Sequence, residues 1–236
     1  MNPLQDSFRF YARNIESLLL LSVLTVFPFL LIHNFIMNYI NLITTITGAK
    51  VVSGFFNMFL LLMFITVIQL PFALFVKYES DGEEKPLKKA LRTFAEHSFS
   101  VFVFAFIYTL AVTTGMLLLV IPGLIVLIWF YLTPYHMVLK QSSPWRSWRA
   151  AMDMGKKHFI QILGLILLTS VIQSLVSMLG LFSVTFISTS YGAIFFTQLL
   201  LNVIVFPFIA ILFSMYVQKW SEEANAMEGM EEYARG

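Results

Sequence analysis

Cysteine is absent from the 236 residues, so disulfides, thiolate metal ligands and a thiol nucleophile are all excluded. Charge is scarce as well. Asp, Glu, Lys and Arg make up 12 % of the chain, beside 58 % hydrophobic residues, and a soluble domain carries about 25 % charge. Too little polar surface remains to cover a water-facing globule. A formal charge of +2 excludes a strongly basic nucleic-acid binder, so no nucleic-acid partner is expected. No HExxH, GxSxG or phosphate-binding glycine loop occurs, and no cofactor is implied. Long polar segments are also missing: the largest, about 77–97, has 21 residues, too few for a soluble domain.

What the chain does have is apolar length. A helix needs about 20 apolar residues to cross about 30 Å of hydrocarbon. Six uncharged runs approach that length, at about 17–37, 51–76, 98–119, 123–139, 159–182 and 192–217. The stretch from Phe99 to Leu139 has no charge and is about twice one span, so Pro122–Gly123 is expected to form a short hairpin tip dividing it. Arg9 and Arg13 precede the first run as in a signal peptide, but no small-residue cleavage site follows. An uncleaved first helix is expected.

Orientation follows from the basic residues. With the N-terminus in the cytoplasm, 14 of the 15 Lys and Arg residues fall in inner segments and only Lys50 lies outside. All 13 Asp and Glu residues fall inside too. Both termini are therefore expected in the cytoplasm, with Trp145, Trp148 and Trp220 at the inner membrane edge.

The runs pair into a repeat. Each even span holds a proline followed by an aromatic: Pro71-Phe72, Pro134-Tyr135 and Pro207-Phe208. Each odd span follows a proline and a short amphipathic stretch, and Pro3-Leu4 with Phe8, Arg9, Tyr11 and Ala12 recurs 83 residues later as Pro86-Leu87 with Leu91, Arg92, Phe94 and Ala95. A looser third copy begins at Ser143-Pro144, where Trp145, Trp148 and Met152 recur at helical spacing. Arg146, Arg149, Lys156 and Lys157 belong mostly to its other side. Such a helix is suited to the headgroup layer, its rings among acyl chains and its cations near lipid phosphates, as are Lys88 and Arg92 in the second copy.

The expected fold is thus an all-α integral membrane protein. It has six transmembrane helices arranged as three repeated hairpins, with short amphipathic interfacial helices on the cytoplasmic side. Residues 1–220 form one membrane domain, and 221–236 an acidic cytoplasmic tail of five glutamates and one arginine, solvated or docked on the basic segment 146–157.

Val120-Ile121-Pro122-Gly123-Leu124, then Tyr131, Pro134 and Tyr135, then Ser143 to Arg149 before Gly155 and His158-Phe159, form a recognisable pattern. It resembles the membrane domain fused to some glycerophosphodiester phosphodiesterases and the related YciC-like family of multi-pass bacterial membrane proteins. The resemblance covers about 99–168 and implies a six-helix bundle of duplicated hairpins. It brings no catalytic residue set, and the chain lacks a phosphodiesterase domain.

Chemistry inside the spans is sparse. Pro71, Pro134 and Pro207 free the carbonyls of Val67, Phe130 and Val203, which Thr66, Gln69, Thr133 and Asn202 are near enough in sequence to serve. His33 is expected to bond a neighbouring helix and His136 to reach the headgroup layer. Asp153 and His158, the nearest acid–base candidates, stand about 140° apart on an ideal helix, a poor geometry for one site. Polar side chains in spans first serve helix packing. Gln173, Ser174 and Ser177 form a stripe on the fifth span and, with Gln69 and Asn202, the expected polar seam. The expectation is a non-enzymatic membrane protein acting through anionic lipids, a membrane-protein partner or a second copy. A transporter or exporter of a lipid-like substrate is the alternative. A polar cavity at Gln69, Asn202 and the stripe favours transport, and a tightly packed bundle favours a scaffold.

Overall fold

In hydrocarbon a backbone amide finds no water, so each apolar run must pair its own N–H and C=O groups and becomes helix. A computed structural model of the chain describes residues 2–140 and 142–235, with side chains through residue 226. The helices are α1 (Pro3–Arg13), α2 (Ile15–Thr47), α3 (Lys50–Ser80), α4 (Pro86–Leu118), α5 (Val120–Phe130), α6 (Thr133–Lys140), α7 (Pro144–Lys157), α8 (Phe159–Ile187) and α9 (Tyr191–Arg235). Taking α5 and α6 as one span, six helices are long and apolar enough to cross a membrane. No strand occurs among the described residues. α9 runs on without a break from its span into the acidic stretch, where Lys219 meets Glu223 at 3.8 Å. The side chains from residue 227 onward, including most of the expected tail charge, lie outside the described residues.

Three boundaries differ from the sequence reading. α2 continues to Thr47, ten residues past the expected end, because Thr44 and Thr47 donate to Ile40 and Ile43 of their own helix and need no partner outside it. The turn between α4 and α5 falls at Leu119, which is extended (φ −150°, ψ 119°), not at Pro122–Gly123. Pro122 sits in the first turn of α5, where a missing amide hydrogen costs nothing. Gly123 serves close packing instead: a Cβ there would collide with the backbone of Met116. Finally, the second amphipathic stretch is not a separate helix. Asn14 and His158 interrupt the helix in the first and third copies, whereas α4 runs straight through, with the Arg92–Glu96 pair (2.9 Å) approaching the junction at His97.

Packing divides the spans into inner and outer helices. α3, α6 and α9 meet one another in the centre, where Leu70, Phe72, Tyr135, Ile211 and Phe213 are almost wholly buried. Within its most apolar window α3 is 83 % buried, against 28 %, 39 % and 17 % for α2, α4 and α8, which face outward. α2 lies on α3 and α9, α4 on α3 and α5, and α8 mainly on α9. The amphipathic pieces dock on inner helices: α1 on α9, α7 on α5 and α6, and the start of α4 beside the end of α3, where the Tyr78 and Thr93 hydroxyls are 3.1 Å apart.

Pro71, Pro134 and Pro207 are all buried, but the side chains expected to serve their freed carbonyls go elsewhere. Thr66 donates to Leu62, Gln69 to Tyr131 and Asn202 to Gln198, while Thr133 Oγ1 has no partner. Near the kinks the donors come from other helices. Tyr11 donates to the Ile204 carbonyl at 2.9 Å, three residues before Pro207, and Tyr108 donates to the Leu127 carbonyl at 2.9 Å. A fourth proline–aromatic pair, Pro28-Phe29, lies inside α2, so the motif is not confined to the inner helices. Tyr11→Phe is expected to lower stability by about 1 kcal/mol, the usual net value of one hydrogen bond, measured as the unfolding midpoint in detergent.

Candidate functional site

The polar seam forms because polar side chains in lipid seek each other across helices. Gln173 on α8 donates to Asn202 Oδ1 on α9 at 2.9 Å, Asn202 donates to the Gln198 carbonyl at 2.8 Å, and Gln198 donates back to the Ser177 carbonyl at 2.9 Å. On the opposite wall Gln69 of α3 donates to the Tyr131 hydroxyl at 2.8 Å.

Between these walls lies a cavity of about 480 Å³, inside the range of about 300–1,000 Å³ usual for small-molecule sites. It is lined by α2, α3, α5, α8 and α9 and takes in all five residues of the expected seam: Gln69, Gln173, Ser174, Ser177 and Asn202. The void exists because α8 follows α9 and touches α5 and α7 only lightly, leaving its face toward α3 unfilled. Most of the lining is apolar, including Phe64, Ile65, Leu127 and Phe206, and none of it is Asp, Glu, Lys or Arg. Three of these lining residues each hold one polar atom that has no partner and is buried away from the open volume: Gln69 Oε1, Gln173 Oε1 and His33 Nε2. His33 lines the cavity beside Phe64, the two rings edge to face at 6.0 Å.

A smaller cavity of about 220 Å³ shares Leu30 and Asn202 with the first and continues along α9 to Tyr191. From Tyr191 to Ala210 the two follow α9 for about 28 Å at 1.5 Å per residue. Toward the charged end the path is closed. Phe213 packs on Tyr131 (ring centroids 4.9 Å) and Tyr135 (6.2 Å), Phe72 packs on Phe206 (5.7 Å), and the prolines lie in or beside this layer. A slit of about 10 Å³ is all that lies between Ala73, Tyr135 and Ser214. Past it, at the charged end, Lys77, Lys89, Tyr78, Thr93, His97 and Ser142 line a separate cavity of about 290 Å³.

The expected interfacial residues do not converge on the seam. Lys88, Arg92, Arg146, Arg149, Lys156 and Lys157 are exposed along α4 and α7. Trp145 is exposed and edges onto Phe104, Trp148 packs on Phe130, and Lys156 lies 5.0 Å over the Trp129 ring. The face that docks α7 is instead Pro144, Ser147, Ala151 and Gly155. A Cβ on Gly155 would lie 2.8 Å from the Trp129 Cα. Small residues four apart at 147, 151 and 155 carry that signal in the sequence, because small side chains let helix backbones approach.

His136 does not reach a headgroup layer. It is 4 % exposed, with Nε2 3.3 Å from Met154 Sδ, because α7 folds across α6 and covers it. His158 bonds Gln161 and stacks on Trp220 at 4.5 Å, so it forms no pair with exposed Asp153. No group of three His, Asp or Glu side chains suited to a metal occurs among the described residues. Tyr131 is the site residue that sequence reasoning missed. It belongs to the quoted motif, but only the tertiary fold sets its hydroxyl against Gln69.

No family model matches this chain, and neither a curated protein nor a solved structure does. Fold and site alone define its class: a multi-pass helical membrane protein with a mostly apolar, polar-striped cavity beside an unfilled face of α8.

Proposed function

We propose that this protein acts without covalent chemistry, by holding an amphipathic, lipid-like molecule in the cavity between α3 and α8. One observation carries the reading: a cavity of about 480 Å³ has a mostly apolar lining crossed by uncharged polar side chains, Gln69, Gln173, Ser174, Ser177 and Asn202. Such a lining offers a bound polar head the uncharged stripe while its chain covers the apolar wall. Such lipid contact suits a scaffold, accessory or protective factor of a bacterial cytoplasmic membrane. This reading is compatible with the resemblance to the YciC-like family.

Both termini are read as cytoplasmic, so that the exposed cations of α4 and α7 and the cavity around Lys77 and Lys89 meet anionic headgroups. The Cys-free chain makes this directly testable. A single cysteine at Lys88 is expected to react with a membrane-impermeant maleimide only from the cytoplasmic side, and one at Tyr191 only from the other. The reverse pattern overturns the orientation.

Transport is the second reading. It is favoured by the two cavities that run along α9 toward Tyr191 and stop at the proline layer, as a pathway closed at one end would. Both readings need an occupied cavity. A fatty-chain diazirine probe is expected to label peptides of α3 and α8 in proteoliposomes, and Ser174→Trp, which fills the void, to abolish that labelling while leaving labels on the outer faces. Equal labelling in the Trp variant would show that the probe reports only the surrounding lipid. Flux of the probe across the bilayer then separates carrier from holder.

A further inference from the structure

We infer that the cavity at the charged end is a binding site for a phosphate group, built from Lys77, Lys89 and the Tyr78–Thr93 hydroxyl pair. The site is separate from the inner cavity and does not depend on what that cavity holds. It narrows the general attraction of the charged end for anionic headgroups to one pocket.

The pocket of about 290 Å³ arises where three helices meet. The last turn of α3 brings Lys77 and Tyr78, the first turns of α4 bring Lys89 and Thr93, and α6 brings the buried Met137 and Val138. No Asp or Glu lines it. Its open wall is nearly as polar as it is apolar, unlike that of the inner cavity, so polar groups do reach the space.

Lys77 carries the argument. It is partly buried and forms no ion pair among the described residues. Its ammonium donates to the Val138 carbonyl at 3.1 Å, and of three hydrogens two remain. An ammonium withdrawn from water without a counter-charge is unfavourable, and an anion in the space it borders removes that cost. Lys89 lies 4.7 Å from the centre of the Tyr78 ring, its side chain 45 % exposed, and bonds Glu83, which does not line the pocket. A bound anion competes with Glu83 for this second cation. The Tyr78 and Thr93 hydroxyls are 3.1 Å apart, and whichever donates to the other, one O–H is left to donate outward. Lysine serves phosphate as a point charge, whereas planar, two-pronged capture of a carboxylate calls for arginine, and no arginine lines the pocket.

Native mass spectrometry of the full chain in an uncharged detergent tests the site with three lipids that share two oleoyl chains: dioleoylphosphatidate, dioleoylglycerol succinate and dioleoylglycerol. Phosphatidate is expected to bind about tenfold tighter than either of the others, since one hydrogen bond to a charged group is worth about a factor of ten. Lys77→Gln is expected to remove that preference. Lys219→Gln, the same charge change at the same end but on α9, is expected to leave it intact. Glu83→Gln frees Lys89 and is expected to tighten phosphatidate about two- to fivefold, the worth of an exposed ion pair, whereas Glu222→Gln on α9 is not. A gain in affinity cannot come from misfolding, so this arm decides the matter if Lys77→Gln fails to fold. Glycerol 3-phosphate identifies the source of the phosphate. Displacement of phosphatidate at equal concentration marks a soluble ligand, no displacement marks a lipid headgroup, and either keeps the site. Equal binding of the succinate lipid overturns the choice of phosphate, and equal binding of dioleoylglycerol overturns the site. Equal changes in the Lys77 or Glu83 variants and their α9 controls reduce the effect to diffuse surface charge and overturn the site too. Labelling of the inner cavity is a separate measurement, so the two readings fail independently.

Discussion

Phe213→Ala is expected to lower the free energy of unfolding by about 3 kcal/mol and to join the inner cavity to the charged end. Phe213 is fully buried between Tyr131 and Tyr135, where α6 and α9 face each other. Truncating a buried aromatic residue costs about 3–5 kcal/mol in soluble proteins. The low end applies here because separated helices remain in lipid, as apolar as the core they leave, and the loss is mainly of packing. The functional consequence is specific. The seal between the 480 Å³ cavity and the one lined by Lys77 and Lys89 consists of this ring, Tyr135 and Phe72. A single cysteine at Gln69, silent to a membrane-impermeant reagent added at the charged end, is expected to become reactive when Phe213 is alanine. Ile166→Ala, on α8 at the cavity wall and outside that layer, serves as the control and is expected to leave that cysteine silent. If Gln69→Cys is already reactive with Phe213 in place, the aromatic layer is not a seal and the transport reading loses its gate.

Gly155→Val is expected to release α7 from the bundle. The added Cβ would lie 2.8 Å from the Trp129 Cα and 2.9 Å from its carbonyl oxygen, and backbone cannot step aside as a side-chain tip can. Overpacking of this kind costs about 1–3 kcal/mol, occasionally more. Because α7 also covers His136, its release should open that histidine to diethyl pyrocarbonate, read by mass mapping of the α6 peptide. The same substitution at Gly164, where an added Cβ would meet nothing within 4 Å, is expected to be nearly neutral. Equal loss at both glycines would point to backbone entropy and helix propensity, and would remove the close α5–α7 approach from the explanation.

Much of the architecture was legible from hydropathy. The six spans could be counted because hydrocarbon demands uninterrupted apolar length, and the same demand drives cations to the ends. Where local chemistry carried more than one use, the reading slipped. Pro122–Gly123 read as a tip because proline and glycine favour turns, yet both residues serve helix entry and close approach instead. The tryptophans of α7 read as the side set among acyl chains, which left the docking face unread; small residues set how near two membrane helices come, and Ser147, Ala151 and Gly155 make the contact. Thr66 and Asn202 read as donors to the kink carbonyls by nearness in sequence, but each bonds the carbonyl four residues back on its own helix.

The site divides along the same line. That Gln69, Gln173, Ser174, Ser177 and Asn202 would seek polar company follows from their placement in apolar runs, and the chain alone was enough to single them out. That they surround an open volume was decided by tertiary structure. Whether a polar stripe zips shut or borders a cavity depends on how far apart two helices lie, and here α8 stays with α9 and away from α3. Periodicity determines which residues share a face of one helix. The distance between faces is set by every other contact in the bundle, so the unpaired oxygens of Gln69 and Gln173 emerge only when all six spans are in place.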